Sequence, residues 1–317
     1  MTTFYFIFQQ TMIFMIPLLI VALGGMFSER SGVVNVALEG IMTIGAFASI
    51  LFISLFEHQM SGQPLLILAL IVAAVAGAAF SFFHAYAAIN MKADQVISGT
   101  ALNMFAPALA IFVGRQLNGV QQIQFQNTFR ITKVPVLSSI PFIGDLFFKN
   151  AYITTYIGFA ILAISAIVLY KTRFGLRLRA CGEHPQAADS VGINVYKMRY
   201  CGVLISGVLG GIGGLIFVIP TSTNFNATVA GYGFLALAVL IFGQWKPLRI
   251  LLAALFFGLM KAIASSYSGI PFLNGLGISS TLYKMIPYIA TLIVLTFTSK
   301  NSQAPRASGT PYDKGAR

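Results

Sequence analysis

Apolar residues along this chain come in blocks of about 20, parted by short polar breaks, and a block of that length crosses the hydrocarbon core of a bilayer as a helix. The pattern predicts nine spans. They run over about Thr11 to Phe27, from the break Ser28–Gly32 to Phe56, Leu65 to Asn90, Val96 to Leu117, Tyr152 to Tyr170, Tyr200 to Ile219, Val229 to Phe242, Leu248 to Tyr267 and Ser280 to Thr298. The uncharged run from Tyr200 to Trp245 is too long for one crossing, and Pro220-Thr-Ser-Thr-Asn-Phe-Asn supplies the turn that splits it. A polar loop with Pro135 and Pro141 covers Asn118 to Asn150, and a loop marked by Gly269, Pro271, Asn274 and Gly277 precedes the last span. The expected fold is all-α, a polytopic transmembrane helical bundle of about nine spans. Its membrane domain is 1–298, interrupted by a basic loop at 171–199, and 299–317 is a polar tail expected to be disordered.

Composition agrees with this solvent. Hydrophobic residues make up 57% of the 317 positions and charged residues 9%, with a mean hydropathy of +0.83; a soluble domain carries about 25% charged residues. The net charge of +12 does not point to nucleic acid, because Lys and Arg sit between apolar blocks, where loops and lipid head groups favour them. With nine spans, the positive-inside rule places the N-terminus outside and the C-terminus in the cytoplasm. Arg30, Lys92, the Lys171–Arg199 cluster, Lys246, Arg249 and the tail then lie inside, against Arg115, Arg130, Lys133 and Lys149 outside. No Lys or Arg precedes Arg30, so the basic start of a cleaved signal peptide is missing. Two cysteines, Cys181 and Cys201, are too few for a disulfide framework.

In this topology spans one to four begin outside and spans six to nine begin inside. Each half carries an abbreviated or Gly-interrupted element near a tight inner turn, Ser28–Gly32 and Gly243–Pro247. That is the pattern of an inverted repeat with a pathway between its halves.

Catalytic chemistry finds no foothold. The chain has no Gly-x4-Gly-Lys-Ser/Thr, no His-Glu-x-x-His and no Cys-x-x-Cys, so no catalytic residue and no metal ligand is assigned. His58, His84 and His184 are scattered and read as loop or satisfied core histidines. Gly231-Tyr-Gly-Phe-Leu-Ala236 fits a loose dinucleotide fingerprint but opens an apolar span instead of following a strand.

Two segments carry candidate function. In Glu29-Arg-Ser-Gly-Val-Val-Asn-Val-Ala-Leu-Glu-Gly, Gly32 frees the backbone to break, and Asn35 and Glu39 share a helix face. A carboxylate within a membrane is costly and faces protein or water. Asn35 and Glu39, with Asn103 of the fourth span, are the candidate substrate-pathway residues. The structural alternative is that Glu39 bonds Arg30 or backbone amides freed by the break. In the basic loop, Gly182 suits a sharp turn, Pro185 the first position of a helix and Gly192 its end. The short helix between them has a small apolar face, Ala187, Ala188 and Val191. It either docks into a groove on a partner or anchors the loop at the interface. Ser206-Gly-Val-Leu-Gly-Gly-Ile-Gly-Gly214 is a close-packing stretch.

Three segments together resemble the permeases of bacterial ABC importers in the branched-chain amino acid, ribose and nucleoside permease superfamily. Thr172-Arg-Phe-Gly-Leu-Arg-Leu-Arg-Ala-Cys-Gly-Glu-His-Pro-Gln-Ala-Ala-Asp-Ser-Val-Gly-Ile-Asn is similar to its cytoplasmic coupling segment. Glu29 to Gly40 and Ala230-Gly-Tyr-Gly-Phe-Leu-Ala-Leu-Ala-Val-Leu-Ile-Phe-Gly resemble signatures of its nucleoside, or simple-sugar, branch. Gln244-Trp-Lys-Pro departs from the smaller Gly/Asn-rich turn of the family, and Cys181 replaces an aliphatic residue. The resemblance implies a permease subunit of an ATP-driven importer in the bacterial plasma membrane. It would translocate a nucleoside delivered by an extracellular lipoprotein and pair with a second permease chain. Gly182, Glu183, Pro185, Ala187, Ala188 and Gly192 would hold the cytoplasmic ATPase subunits. ATP and Mg would bind on those partners, with no cofactor on this chain. A sugar or branched-chain amino acid cargo keeps the same mechanism. A secondary transporter or channel would need an ion relay, and Glu39 is nearly the only intramembrane carboxylate available to it.

Overall fold

A computed structural model describes residues 2–119, 121–134, 138, 144–267, 279–298 and 303–315. Pro135, Pro141 and the expected loop with Gly269, Pro271, Asn274 and Gly277 lie outside the described residues. The helices, in chain order, are α1 (Thr2–Arg30), α2 (Leu38–Phe56), α3 (Gln63–Ile89), α4 (Gln95–Asn118), α5 (Ile153–Lys171), α6 (Arg173–Glu183), α7 (Pro185–Ser190), α8 (Val195–Thr221), α9 (Tyr232–Phe242), α10 (Pro247–Ser266) and α11 (Ser280–Thr298). The protein is a helical polytopic membrane bundle.

Among the described residues seven helices are long and apolar enough to cross a membrane: α1, α2, α3, α4, α5, α8 and α10. The expectation of nine spans is corrected to about seven. The expected seventh span, Val229 to Phe242, is an 11-residue helix. At 1.5 Å per residue it covers about 16 Å, half of a ~30 Å core. Block apolarity reports which residues avoid water and is silent on whether a helix bonds every one of them. The helix α11 of the expected ninth span has several side chains outside the described set.

The bundle has two faces. The ends of α1, α3 and α5, the pair α6 and α7, and the start of α4 share the face that carries the basic loop. At the other, Glu57 accepts from the Gln126 N–H at 2.9 Å and Asn127 donates to the Ile219 carbonyl at 2.5 Å. Short antiparallel pairings stiffen this second face. β1 (Ile123–Gln124) pairs with β4 (Asn224–Phe225), and β2 (Ile131–Lys133) with β3 (Lys149–Ala151). The connection read as a polar loop thus buries Ile123, Phe125 and Phe129.

α8 lies at the centre, packed on α1, α2 and α3. Its glycines make this approach possible. A Cβ on Gly211 would run into the carbonyl oxygen of Ala73 in α3, and one on Gly214 into that of Met42 in α2. α3 and α4 present Val75, Phe83, Ile97 and Met104 outward, as a hydrocarbon solvent permits.

The tail is the second correction. Residues 303–315 are packed across the basic-loop face. The Ala307 N–H bonds the Gly182 carbonyl at 2.8 Å, the Gly309 N–H bonds Gly32 at 3.2 Å, and Tyr312 is buried. Polar composition predicted no core for this segment, but it has a groove to lie in.

Candidate functional site

The site is a break at the centre of the bundle where two helices begin. The chain leaves α1 at Arg30, turns through Gly32 at φ +99°, and runs without helical bonds to Ala37 before α2 starts. Backbone groups exposed inside a membrane must find partners within the protein. Here side chains from two other helices, α3 and α4, supply them. Gln95 accepts the Val34 N–H at 2.7 Å. His84 Nε2 donates to the Val34 carbonyl at 2.9 Å, and its Nδ1 faces the Ser98 hydroxyl at 2.9 Å. The carbonyl can only accept, which places the imidazole proton on Nε2. Asn103 serves both ends of the gap, donating to Val36 at 2.8 Å and accepting from the Gly40 N–H at 2.7 Å. Asn35 donates to Ser206 Oγ at 2.9 Å, while its side-chain amide oxygen is buried with no hydrogen-bond partner among the described residues.

The second half of the break comes from the other direction. After α8 the chain returns through 222–231 and turns at Ala230 (φ +53°) and Gly231 (φ +79°) into α9. The first N–H groups of any helix lack partners within it. Glu39 supplies them here, accepting from Gly231 at 2.8 Å and Gly233 at 2.6 Å. Gly233 has to be a glycine, because a Cβ there would fall on the backbone of Glu39. α2 runs from this point to the face with the short strands, and α9 runs to the face with the basic loop. One carboxylate in the first turn of α2 therefore sits at the positive ends of two helix dipoles.

Asn35, Glu39 and Asn103 are thus brought together around one break. Of the two readings for Glu39, its hydrogen bonds are with freed amides, but those of α9. Arg30 bonds elsewhere: its guanidinium reaches the Trp245 carbonyl at 3.2 Å and Glu183 at 3.6 Å.

The basic loop holds two helices where one was expected. Thr172 caps α6 by accepting the Gly175 N–H at 3.2 Å, and α6 continues through Gly182. Gly182 is no sharp turn. It is a helical position pressed against the Arg30 carbonyl, where a side chain would clash. The chain turns at His184, and Pro185 opens α7. Gly192, at φ +84°, follows its end. Pro185 and Ala188 are buried, and Glu183 is tied to Arg30. Ala187, Gly192 and Val191 face outward, Val191 at 75% exposure.

Cys181, Ala188, Val195 and Tyr312 form a small core that joins this loop to the tail. Burial pushes the Cys181 thiol up to about 11, although Arg199 nearby works the other way. Arg199 is buried, donates to the Thr310 carbonyl at 2.9 Å and lies 6.0 Å from the Tyr312 ring. At the edge, Lys92 and Asp313 form an ion pair at 2.7 Å. Its hydrogen bond holds the Asp313 carboxyl below its usual range and raises the Lys92 ammonium.

Sequence reasoning missed Gln95, Ser206 and Trp245. The first two carry no local signal, since each acts on backbone far away in the chain. Trp245 had one: it is the single tryptophan, in a turn that departs from the related pattern. It is buried, and its indole N–H donates to Glu29 at 2.7 Å.

The chain matches the family described as branched-chain amino acid transport system, permease component, over residues 7–295. It is 46% identical to the guanosine ABC transporter permease protein NupQ of Bacillus subtilis, over 98% of this chain and 97% of that protein. It is 44% identical to the nucleoside ABC transporter permease protein NupC of Lactococcus lactis subsp. cremoris, over 98% of both. A second guanosine ABC transporter permease protein of Bacillus subtilis, NupP, is 25% identical over 80% of this chain and 73% of its own length. No solved structure matches the chain.

Proposed function

We propose a function from one fact: the chain belongs to the branched-chain amino acid transport system permease family. It is the membrane-spanning permease subunit of an ATP-driven importer, and its cargo is a nucleoside. The observation that carries the cargo is near full-length similarity to NupQ and NupC, both named for nucleosides.

The cargo passes beside the central break. Asn103 and Glu39 keep the break open by bonding backbone on its two sides, and Asn35 ties it to Ser206 of α8, so that two helix N-termini meet where a continuous helix would close the path. The partner ATPase docks on the outward side of α7, at Ala187, Val191 and Gly192. Gly182, Glu183, Pro185 and Ala188 shape that helix from behind. Glu183 pairs with Arg30, one residue from Glu29 and its bond to Trp245. A push on α7 therefore reaches both inner turns through a short chain of contacts.

ATP and Mg belong to the partner subunits, and this chain performs no covalent chemistry. A second permease completes the pore; Bacillus subtilis has two guanosine permease proteins similar to this chain at different levels, which supports a heterodimer. An extracellular lipoprotein delivers the cargo, the N-terminus lies outside, and the basic loop and tail are cytoplasmic. The test is energetic: nucleoside uptake stops when the partner ATPase is deleted and survives an ionophore. Uptake that survives the deletion and collapses with the ionophore overturns the proposal.

A further inference from the structure

A cavity of about 440 Å³ opens beside the break, between α9, α10 and α11. Its wall includes Gly231 and Tyr232, so it touches the turn that Glu39 caps. Its size falls within the ~300–1,000 Å³ of small-molecule sites. Phe234, Leu235, Ala238 and Leu292 make most of the lining apolar. The charged exception is Lys261.

Lys261 lies inside the span α10. The ion pairs among the described residues are Arg30–Glu183 and Lys92–Asp313, and Lys261 is in neither. Its ammonium stands 5.7 Å from the centre of the Tyr232 ring. A cation held in a span, with a ring face and no ion-pair partner among the described residues, is expensive, and such residues mark a pathway. An ammonium has three donors and no acceptor. The cavity thus offers apolar walls, the exposed aromatic ring of Phe234 and one strong donor. The complementary ligand is a flat heterocycle with an acceptor on its edge.

We propose that Lys261 reads the base of the transported nucleoside, favouring bases with an oxo group at the edge over bases with an amino group there. This rests on the nucleoside reading above. Guanine shows an O6 acceptor and uracil-type bases O4, whereas adenine and cytosine place an amino donor at the equivalent position; N7 is common to both purines and does not discriminate. An ammonium meets the first kind with a hydrogen bond and the second with a clash of donors. The base lies against the apolar wall that carries Phe234.

The experiment measures uptake of labelled guanosine, uridine, adenosine and cytidine through the complete importer, normalised to permease in the membrane. Lys261→Met lowers guanosine and uridine uptake about tenfold and leaves adenosine and cytidine within about twofold, as expected for one specific base contact. Lys261→Arg keeps the wild-type order. Lys261→Glu, which puts an acceptor where the donor was, raises the amino bases relative to the oxo bases. A loss shared equally by all four in the Met variant, or an unchanged order in the Glu variant, overturns the assignment. A wild-type importer that carries none of the four defeats the nucleoside reading instead.

Discussion

The indole of Trp245 donates a 2.7 Å hydrogen bond to the carboxylate of Glu29, joining the turn after α9 to the end of α1. Both groups are buried, and the Trp245 carbonyl also receives the Arg30 guanidinium. Trp245→Phe keeps the ring and removes the donor, leaving a buried carboxyl without its partner. The expected loss is about 1–3 kcal/mol, read as a lower unfolding temperature in detergent. Glu29→Gln combined with Trp245→Phe falls short of the sum of the two losses if the bond is the shared cause.

Glu39 makes a second such prediction. Its carboxylate accepts two N–H groups of α9. Glu39→Gln keeps one acceptor and turns an NH2 toward the other donor, which leaves a buried N–H unmet and costs about 1–3 kcal/mol. Gly233→Ala strikes the backbone of Glu39 and separates α9 from α2. Hydrogen exchange at Gly231 and Gly233 rises in Glu39→Gln and not in Glu57→Gln, a control on the opposite end of α2.

The short helix α7 divides by exposure. Ala187→Trp adds bulk on the outward side and is expected to abolish coupled uptake while the unfolding temperature stays unchanged. Ala188→Trp adds bulk in the core shared with Cys181 and Tyr312 and is expected to lower that temperature. Normal uptake by Ala187→Trp contradicts docking on this surface.

The packed tail is tested through Cys181. The thiol is buried and its pKa lies near 11, so it reacts slowly with a maleimide at pH 7. Tyr312→Ala or removal of 304–317 uncovers it, and labelling accelerates about tenfold or more for a site released from burial. The Lys92–Asp313 pair adds a pH dependence. Asp313 sits below its usual range, so its contribution is complete above that range and fades as pH falls through the lowered value. Lys92 sits above its usual range, so its contribution fades only as pH rises through the raised value. Protease release of the tail is therefore slowest between the two and faster in acid or high salt.

Much of this architecture was legible in the chain because the bilayer acts on simple properties. Seven crossings announce themselves by length and apolarity, and Gly32, Pro185 and Gly192 mark real turns. The central break was legible as a segment and not as a geometry. Asn35 and Glu39 are spaced to share a helix face, but Asn35 lies in the non-helical break before α2, and the partners Ser206, Gly231 and Gly233 lie far along the chain, where no periodicity connects them. Gly182 misled because glycine serves equally as a turn and as a helical position under close contact, and only the Arg30 carbonyl decides between them. The tail misled because polar composition describes a segment alone, whereas Ala307, Gly309 and Tyr312 borrow a surface made by others.

Nucleoside movement by this chain is tested most directly by uptake in cells that lack it. A panel of labelled guanosine, uridine, free bases, ribose and leucine is compared between wild-type, deletion and complemented strains. Nucleoside uptake is expected to fall in the deletion strain and return on complementation, with no change for ribose or leucine. Unchanged nucleoside uptake, or a loss confined to ribose or leucine, contradicts it.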